Sequence, residues 1–247
     1  GGWASTARVT MQMADFANIS LAGNYSTPNW GSLDAKVSDR QRDTRASLDI
    51  ASTFQMGNFF GKNAGIQMPL FVGYSVGTIT PEFDPLNPDI RFDEYTGEDK
   101  EERLKISRDF TERTSVNLTN VRRQRPSGKE SHFWDIENIS LTFAYGEVLN
   151  RNFNIEYDRT ETWRGGLNYT FNGNPTLWEP FKDMKGIRSS KWLRWLRDFN
   201  LYLGPKVLAF NGEVLRTYNE RKVRNVLDTI FEFEPTYLKN FQINRTY

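Results

Sequence analysis

The sequence predicts an all-β, antiparallel fold made of long strands that are joined mostly by hairpins. Three observations predict it. Apolar residues recur at every second position over much of the chain, aromatic residues make up 14% of it, and the mean hydropathy is low at -0.65. Strands with one apolar and one polar face combine these properties. A transmembrane β-barrel is built in this way, with aromatic residues at its interfaces, and a polar soluble β-sandwich gives similar totals.

The overall composition excludes several classes of protein. The 247 residues include 32 Lys+Arg and 31 Asp+Glu, and a net charge of +1 argues against binding to nucleic acid. The absence of cysteine excludes a disulfide framework, an iron–sulfur cluster and a cysteine zinc site. No apolar run is long enough to predict a transmembrane helix. Because the chain opens at Gly1 without a signal peptide or initiator Met and stops at Tyr247 inside an alternating series, we expect an internal fragment.

Alternation of apolar and polar residues predicts the individual strands. It is strongest over residues 66–76, 139–145, 153–157 and 167–171. Weaker series occur at 9–13, 17–21, 46–50, 116–118, 208–214, 231–233 and 241–247. Successive side chains of a strand point to opposite faces, so each series gives its strand one apolar face. We expect about eight to ten strands in a curved, open sheet.

Three insertions interrupt the alternation, at residues 27–43, 81–109 and 175–198. Proline and charged residues predict loops there, with short helices near Glu98–Ser107 and Ser189–Asp198. The second helix has two interpretations, an amphipathic helix at the membrane interface and a structural helix that packs on a neighbouring loop. Its apolar and basic residues are Trp192, Arg194, Trp195 and Arg197.

The only motif with catalytic precedent is Gly73-Tyr74-Ser75-Val76-Gly77, which matches the nucleophile elbow of α/β-hydrolases. An elbow needs a sharp strand-to-helix turn and a histidine base. Here Ser75 sits within an alternating strand, and the single histidine of the chain is His132. We therefore interpret Ser75 as an ordinary strand residue.

Metal sites and cofactors are not expected either. One histidine cannot build a histidine metal site. The acidic residues between Asp93 and Glu102 lack the spacing of a calcium-binding loop and are more typical of a solvated helix. We expect no cofactor, no metal and no catalytic residue.

An ordered set of short stretches resembles the SprA/Sov family, the outer-membrane translocon barrel of type IX secretion in Bacteroidetes. The stretches run from Gly2-Trp3-Ala4 through Pro69-Leu70-Phe71-Val72-Gly73-Tyr74-Ser75 and Asp84-Pro85-Leu86-Asn87-Pro88-Asp89-Ile90 to Thr119-Asn120-Val121-Arg122, Asp198-Phe199-Asn200 and Tyr218-Asn219-Glu220. They cover nearly the whole chain in the family's order.

The resemblance implies a segment of a very large transmembrane β-barrel in the outer membrane, acting in protein secretion and gliding motility. The expected partners are outer-membrane lipid, secreted cargo proteins and other translocon subunits that flank or plug the barrel. We expect passive conduction of folded proteins and no enzymatic turnover. The alternative is a soluble antiparallel β-sandwich that binds a ligand with its aromatic residues.

In a barrel, one set of alternate residues in each strand faces the lumen and the other set faces lipid. The polar parity predicts that six residues face the lumen, namely Ser140, Thr142, Asn154, Glu156, Asn168 and Thr170. The apolar parity predicts that seven residues face lipid, namely Leu141, Phe143, Ile155, Tyr157, Leu167, Tyr169 and Phe171.

Overall fold

A computed structural model describes residues 1–32, 34, 36, 39–61, 64–181, 198–224 and 237–246. Within them it contains fourteen strands and one α-helix. In chain order these are β1 (Ala4–Met13), β2 (Ala17–Ser26), β3 (Asp43–Gln55), β4 (Ile66–Gln67), β5 (Pro69–Pro81), β6 (Phe83–Asp84), β7 (Asn87–Arg91), α1 (Gly97–Ser107), β8 (Asp109–Arg123), β9 (Ile139–Arg151), β10 (Ile155–Asn172), β11 (Thr176–Trp178), β12 (Leu201–Leu203), β13 (Val207–Val223) and β14 (Tyr237–Thr246).

Ten of the strands form one antiparallel sheet. Its order is β1-β2-β3-β5-β8-β9-β10-β13-β14, and the short β4 pairs with one end of β8. The predicted all-β antiparallel class is therefore confirmed, and the main sheet has the expected number of strands. The hairpins β6–β7 and β11–β12 were not predicted, because β6, β7 and β11 lie in insertions where proline and charge hide the alternation, and β12 is only three residues long.

The register of the sheet collects the apolar parity of its strands on one side. Residues paired directly across a ladder point to the same face. Val9 pairs with Leu21, which pairs with Ile50, and Leu141 pairs with Leu167. We call this side the apolar face. It contains the odd-numbered residues of β1, β2, β9 and β10 (from Tyr157), and the even-numbered residues of β3, β5, β8 (to Leu118) and β13. The opposite side is the polar face.

Long connections occur at both ends of the sheet. One end carries residues 27–42 and 82–108, and the latter connection contains β6, β7 and α1. The opposite end carries residues 56–65, 124–138 and 173–206. Simple outer-membrane barrels have short turns on one side only. The two longest insertions thus leave the sheet at opposite ends.

The connections confirm one sequence prediction and depart from another. The helix predicted near Glu98–Ser107 is confirmed as α1. The series from residue 153 does not begin a strand, because Asn152 closes a tight turn in which its side chain accepts hydrogen bonds from the amides of Asn154 and Ile155, both at 2.9 Å. The helix predicted at Ser189–Asp198, with Trp192, Arg194, Trp195 and Arg197, and the series at 231–233 lie outside the described residues.

No second layer covers the sheet in the described part of the chain. Outside β14, Ala17 and Phe92 are the only apolar side chains of the described residues that are buried. A two-layer protein of this length would bury many large apolar side chains between its layers. Within the same residues, no helix has the length and apolar character needed to cross a bilayer.

Candidate functional site: the two faces of the sheet

The centre of the apolar face consists of large side chains that remain exposed. Leu141 and Leu167 are paired across β9 and β10, and they are 48% and 39% exposed. Phe143 pairs with Leu118 of β8 and with Gly165 of β10. Cross-strand apolar pairs normally stabilise a sheet by excluding water on a covered face. Here the pairs form a continuous apolar surface with no protein layer over it among the described residues.

Two glycines create a groove in this surface. Gly165 of β10 and Gly212 of β13 both belong to the apolar face, where neither supplies a side chain. The resulting groove has a volume of about 710 Å³. Its walls include Leu118, Leu141, Phe143, Leu167, Phe210 and Val214. The groove can accept a hydrocarbon group, since its walls offer few polar partners.

The apolar band runs obliquely across the strands. A single row of paired residues contains Leu21 on β2 and Ile50 on β3, but Glu147 on β9 and Glu161 on β10. On β9 and β10 the apolar residues are displaced from that row, towards the start of β9 and the end of β10. A flat lipid layer meets strands that tilt by about 35–45° at successively later residues, which produces such an oblique band.

Charged groups on the apolar face are paired with one another beyond the apolar band. The Tyr145 hydroxyl donates to Glu147 at 2.6 Å, and Arg159 donates to the same carboxylate at 2.8 Å. The hydroxyls of Tyr157 and Tyr218 donate to Glu220 at 3.2 and 3.0 Å. The Tyr145 ring lies beside the band, with its centroid 4.4 Å from that of Trp163, and its hydroxyl lies on the charged side, as aromatic residues do at an apolar–aqueous boundary. Tyr157 and Tyr218 lie further from the band, among the charged groups.

The polar face is held by cross-strand hydrogen bonds between hydrophilic side chains. Ser75 of β5 donates to Asp49 of β3 at 2.5 Å, and Thr111 of β8 donates to Asn150 of β9 at 3.0 Å. Asn219 of β13 donates to Asp158 of β10 at 2.9 Å. These contacts satisfy the side chains locally and leave a hydrophilic surface that water can wet.

Part of the polar face forms a basin of about 600 Å³. Ser140, Asn168 and Thr170, three of the residues predicted to face the lumen, lie in its wall. Asn120, Arg122, Arg123 and Asn172 are also in the wall. The basin therefore offers amide, hydroxyl and guanidinium groups, whereas the groove on the opposite face is almost entirely apolar.

Most of the predicted lumen and lipid residues lie on opposite faces. Ser140, Thr142, Asn168 and Thr170 have the parity of the polar face. The apolar face contains Leu141, Phe143, Leu167, Tyr169 and Phe171, together with Tyr157, whose hydroxyl contacts Glu220.

The start of β10 departs from the expected alternation. Asn154 lies in the turn before the strand. A register irregularity follows, because Ile155 pairs with Val223 whereas Tyr157 pairs with Lys222. Ile155 thus has the parity of the polar face, and Glu156 reaches Lys222 at 2.8 Å. An irregularity of this kind inserts one residue and reverses the parity beyond it, which alternation in the sequence could not predict.

The connection between β5 and β8 is a folded cap around a buried carboxylate. Asp84 is 0% exposed and accepts hydrogen bonds from the Leu86 amide at 2.9 Å, the Tyr95 hydroxyl at 3.0 Å and Arg103 of α1 at 2.9 Å. Burial alone would raise the pKa of Asp84, but these donors hold it below its ordinary value. Arg103 also stacks over the Tyr95 ring at 4.7 Å, so one network joins the β6–β7 hairpin to α1.

The geometry at Ser75 is not that of a nucleophile elbow. Ser75 lies inside β5, which continues as a regular strand to Pro81, and its hydroxyl contacts Asp49. His132 belongs to the connection after β8, where its ring stacks on Trp134. In the described residues, no group of three or more His, Asp or Glu side chains is placed to hold a metal ion.

Residues 1–95 match the SprA_N family, described as motility related/secretion protein. The matched region extends from β1 through the β6–β7 hairpin to Tyr95 of the cap. No curated protein matches the chain.

Proposed function

We propose that the sheet is one segment of an outer-membrane, protein-conducting barrel, on the premise that the chain, whose residues 1–95 match the SprA_N family of motility related/secretion proteins, is a member of the SprA/Sov family. The barrel would be the translocon of type IX secretion and gliding motility. The observation that supports this proposal is the uncovered apolar face. Large apolar side chains from six strands of the sheet are exposed on it, among them Val9, Leu21, Leu48, Leu141, Leu167, Phe210 and Val214.

Exposure of this face to water would be unfavourable. Burial of a leucine or phenylalanine side chain contributes roughly 1.5–3 kcal/mol. Lipid provides such burial without a second protein layer. A spanning sheet must also close on itself, because lipid cannot satisfy the backbone groups of a free edge. In the proposal, further strands of the complete barrel pair with β1 and β14.

The soluble β-sandwich is less well supported by these observations. A sandwich buries the inner faces of two sheets against each other. The described residues form one large sheet, and the small hairpins β6–β7 and β11–β12 are too short to cover its apolar face. We therefore do not favour that alternative.

On this proposal the polar face lines a water-filled lumen, with Ser140, Thr142, Asn168 and Thr170 among its wall residues. Folded cargo would pass along a wetted surface whose side chains are largely engaged with one another across strands. Such a wall gives a cargo protein few apolar anchors. Conduction would therefore be passive, with no chemical turnover by this segment.

We further propose that the cap of residues 82–108 contacts another subunit of the translocon. Its network around Asp84 fixes the orientation of α1, whose exposed side chains include Glu98, Glu101 and Glu102. A rigid acidic surface at the end of a barrel can bind a basic partner surface with little loss of conformational entropy.

The contact can be tested without disturbing the fold of the cap. In the complete protein, Glu101→Lys with Glu102→Lys reverses the charge of α1 and leaves Asp84 and Arg103 in place. We expect reduced recovery of partner subunits in a pull-down and reduced secretion. Lys105→Glu is the matched control on the same helix, with the opposite change of sign. Unchanged partners and secretion in the first variant would show that the cap is only a solvated loop.

The membrane assignment is tested by a charge placed on each face of β9. Arginine at the centre of a lipid-facing strand costs roughly 2–4 kcal/mol. Leu141→Arg should therefore lower the amount of complete protein assembled in the outer membrane, whereas Ser140→Arg, one residue away, should assemble normally. Equal assembly of the two variants would contradict the proposed orientation.

A further inference from the structure

One end of the sheet exposes large apolar side chains from three separate connections. They come from the β3–β4 connection, the β8–β9 connection and the connection between β10 and β13. The exposed fractions run from 45% to 69%. The residues are Phe59, Phe60, Phe133, Trp134, Ile136, Trp178, Phe199 and Tyr202. We call this end the aromatic end.

The most prominent of these groups is held in place by a buried polar network. Asp135 and Asn138 are buried. Arg125 donates to both, at 3.2 and 2.9 Å, and the Asn138 amide donates to the His132 carbonyl at 2.7 Å. The His132 amide donates to Asp135 at 2.9 Å and holds the pKa of this carboxyl below its ordinary value. The turn of residues 132–136 is therefore fixed, while the side chains of Phe133, Trp134 and Ile136 remain exposed.

The turn continues the apolar face beyond the ends of the strands. The Tyr169 hydroxyl donates to the Phe133 carbonyl, and Tyr169 pairs with Ile139 on the apolar face. The Trp134 ring stacks on His132 with centroids 5.0 Å apart and meets the Phe133 ring edge-on at 4.7 Å. Apolar rings thus stand directly beside a polar network and a histidine.

We infer that the turn of residues 132–136, with Phe59 and Phe60, anchors this end of the sheet in the headgroup–acyl boundary of a lipid leaflet. Tryptophan and tyrosine favour that boundary because each combines an apolar ring with a polar group. The inference rests on the proposed function, since it needs lipid beside the apolar face. It goes further, because it assigns membrane contact to connections outside the strands.

Lipid fits these side chains better than a protein partner does. The three connections leave the sheet between different pairs of strands, from β3 to β13, and they share one chemistry. Lipid that covers the apolar face would also reach the turn of residues 132–136, because the turn is hydrogen-bonded to Tyr169 of that face. The opposite end also exposes Trp3 and Trp30, but its longest connection, residues 82–108, is acidic, with nine acidic and five basic residues.

The inference is tested by measuring the depth of spin labels in a bilayer. Single cysteines at Trp134, Phe59, Phe143 and Leu86 would be introduced into the complete protein, with any other cysteines replaced by serine. The labelled proteins would be reconstituted in phosphatidylethanolamine–phosphatidylglycerol vesicles. Accessibility to oxygen, which concentrates in lipid, would be compared with accessibility to a water-soluble nickel complex. Leu86 is the matched control, an exposed apolar residue in the acidic connection.

We expect the labels at positions 134 and 59 to be more accessible to oxygen, relative to nickel, than the label at position 86. They should lie at a shallower depth in the bilayer than the label at position 143. Because position 59 lies outside the turn, its label still reports the depth of this end if Trp134→Cys disturbs the turn. If 134 and 59 are as accessible to nickel as 86 while 143 lies in lipid, the anchor is refuted and the proposed function stands. Shielding of both labels from both reagents would overturn the anchor in favour of a protein partner. If 143 itself is in water, the proposed function fails, and the anchor with it.

Discussion

Leu141 of β9 and Leu167 of β10 lie directly opposite each other in the ladder, and both side chains remain substantially exposed. The residues that pair one position away, Ser140 with Asn168, point to the other face and border a polar basin. Two strands thus separate an apolar surface from a hydrophilic one across the thickness of a single sheet. The sheet therefore presents two surfaces of different chemistry.

The isolated chain should not behave as a soluble monomer. Its apolar face lacks a cover in the described residues, and edge strands offer free backbone groups that pair with other chains. We expect aggregation in plain buffer and dispersal in detergent, measured by analytical ultracentrifugation. A monodisperse monomer without detergent, with a cooperative thermal transition, would instead support the soluble sandwich.

Replacement of the buried carboxylate should open the cap of residues 82–108. Asp84→Asn removes the charge that faces Arg103, and the loss should be about 1–3 kcal/mol of local stability, less than for a fully buried ion pair because Arg103 is partly exposed. Hydrogen exchange of α1 would report it. Asp99→Asn is the control, since Asp99 pairs with the same arginine but is exposed, and its effect should stay within about 0.5 kcal/mol. Equal effects would show that burial of Asp84 is unimportant.

The same carboxylate makes the cap sensitive to acid. The pKa of Asp84 is lower in the folded cap than its ordinary value of about 3.9. Its contribution is therefore fully present above that value and is lost as the pH falls through the lower, folded pKa. Proteolysis by an acid-active protease should cut the cap more readily as the pH drops below about 4. Asp84→Asn should remove much of this dependence, and an unchanged pH profile in the variant would contradict the assignment.

The hydroxyl of Tyr169 should stabilise the turn of residues 132–136. Tyr169→Phe removes its hydrogen bond to the Phe133 carbonyl and keeps the ring on the apolar face. The loss of about 1 kcal/mol should raise the amide exchange rate of the turn roughly fivefold. Tyr202→Phe, at an exposed tyrosine of the same end, should leave that exchange unchanged. No change in the Tyr169 variant would mean that the turn is held by its polar network alone.

Alternation in the sequence predicted the sheet, because a strand with one apolar and one polar face must alternate apolar and polar residues along the chain. The parity of Leu141, Leu167 and Asn168 followed directly. Three features needed the structure. The irregularity before Tyr157 depends on pairing with β13, and the burial of Asp84 depends on Arg103, nineteen positions away. The charged pair Glu147–Arg159 occupies apolar-face positions that alternation alone would have assigned to lipid.

The orientation of the two faces is the central claim, and adjacent residues of β9 test it most directly. Thr142→Cys and Phe143→Cys, introduced singly into the complete protein in its membrane, would be exposed to a water-soluble, membrane-impermeant maleimide. We predict that the cysteine at position 142 reacts readily and that the one at position 143 is protected by lipid. Equal reaction at both positions would contradict the account.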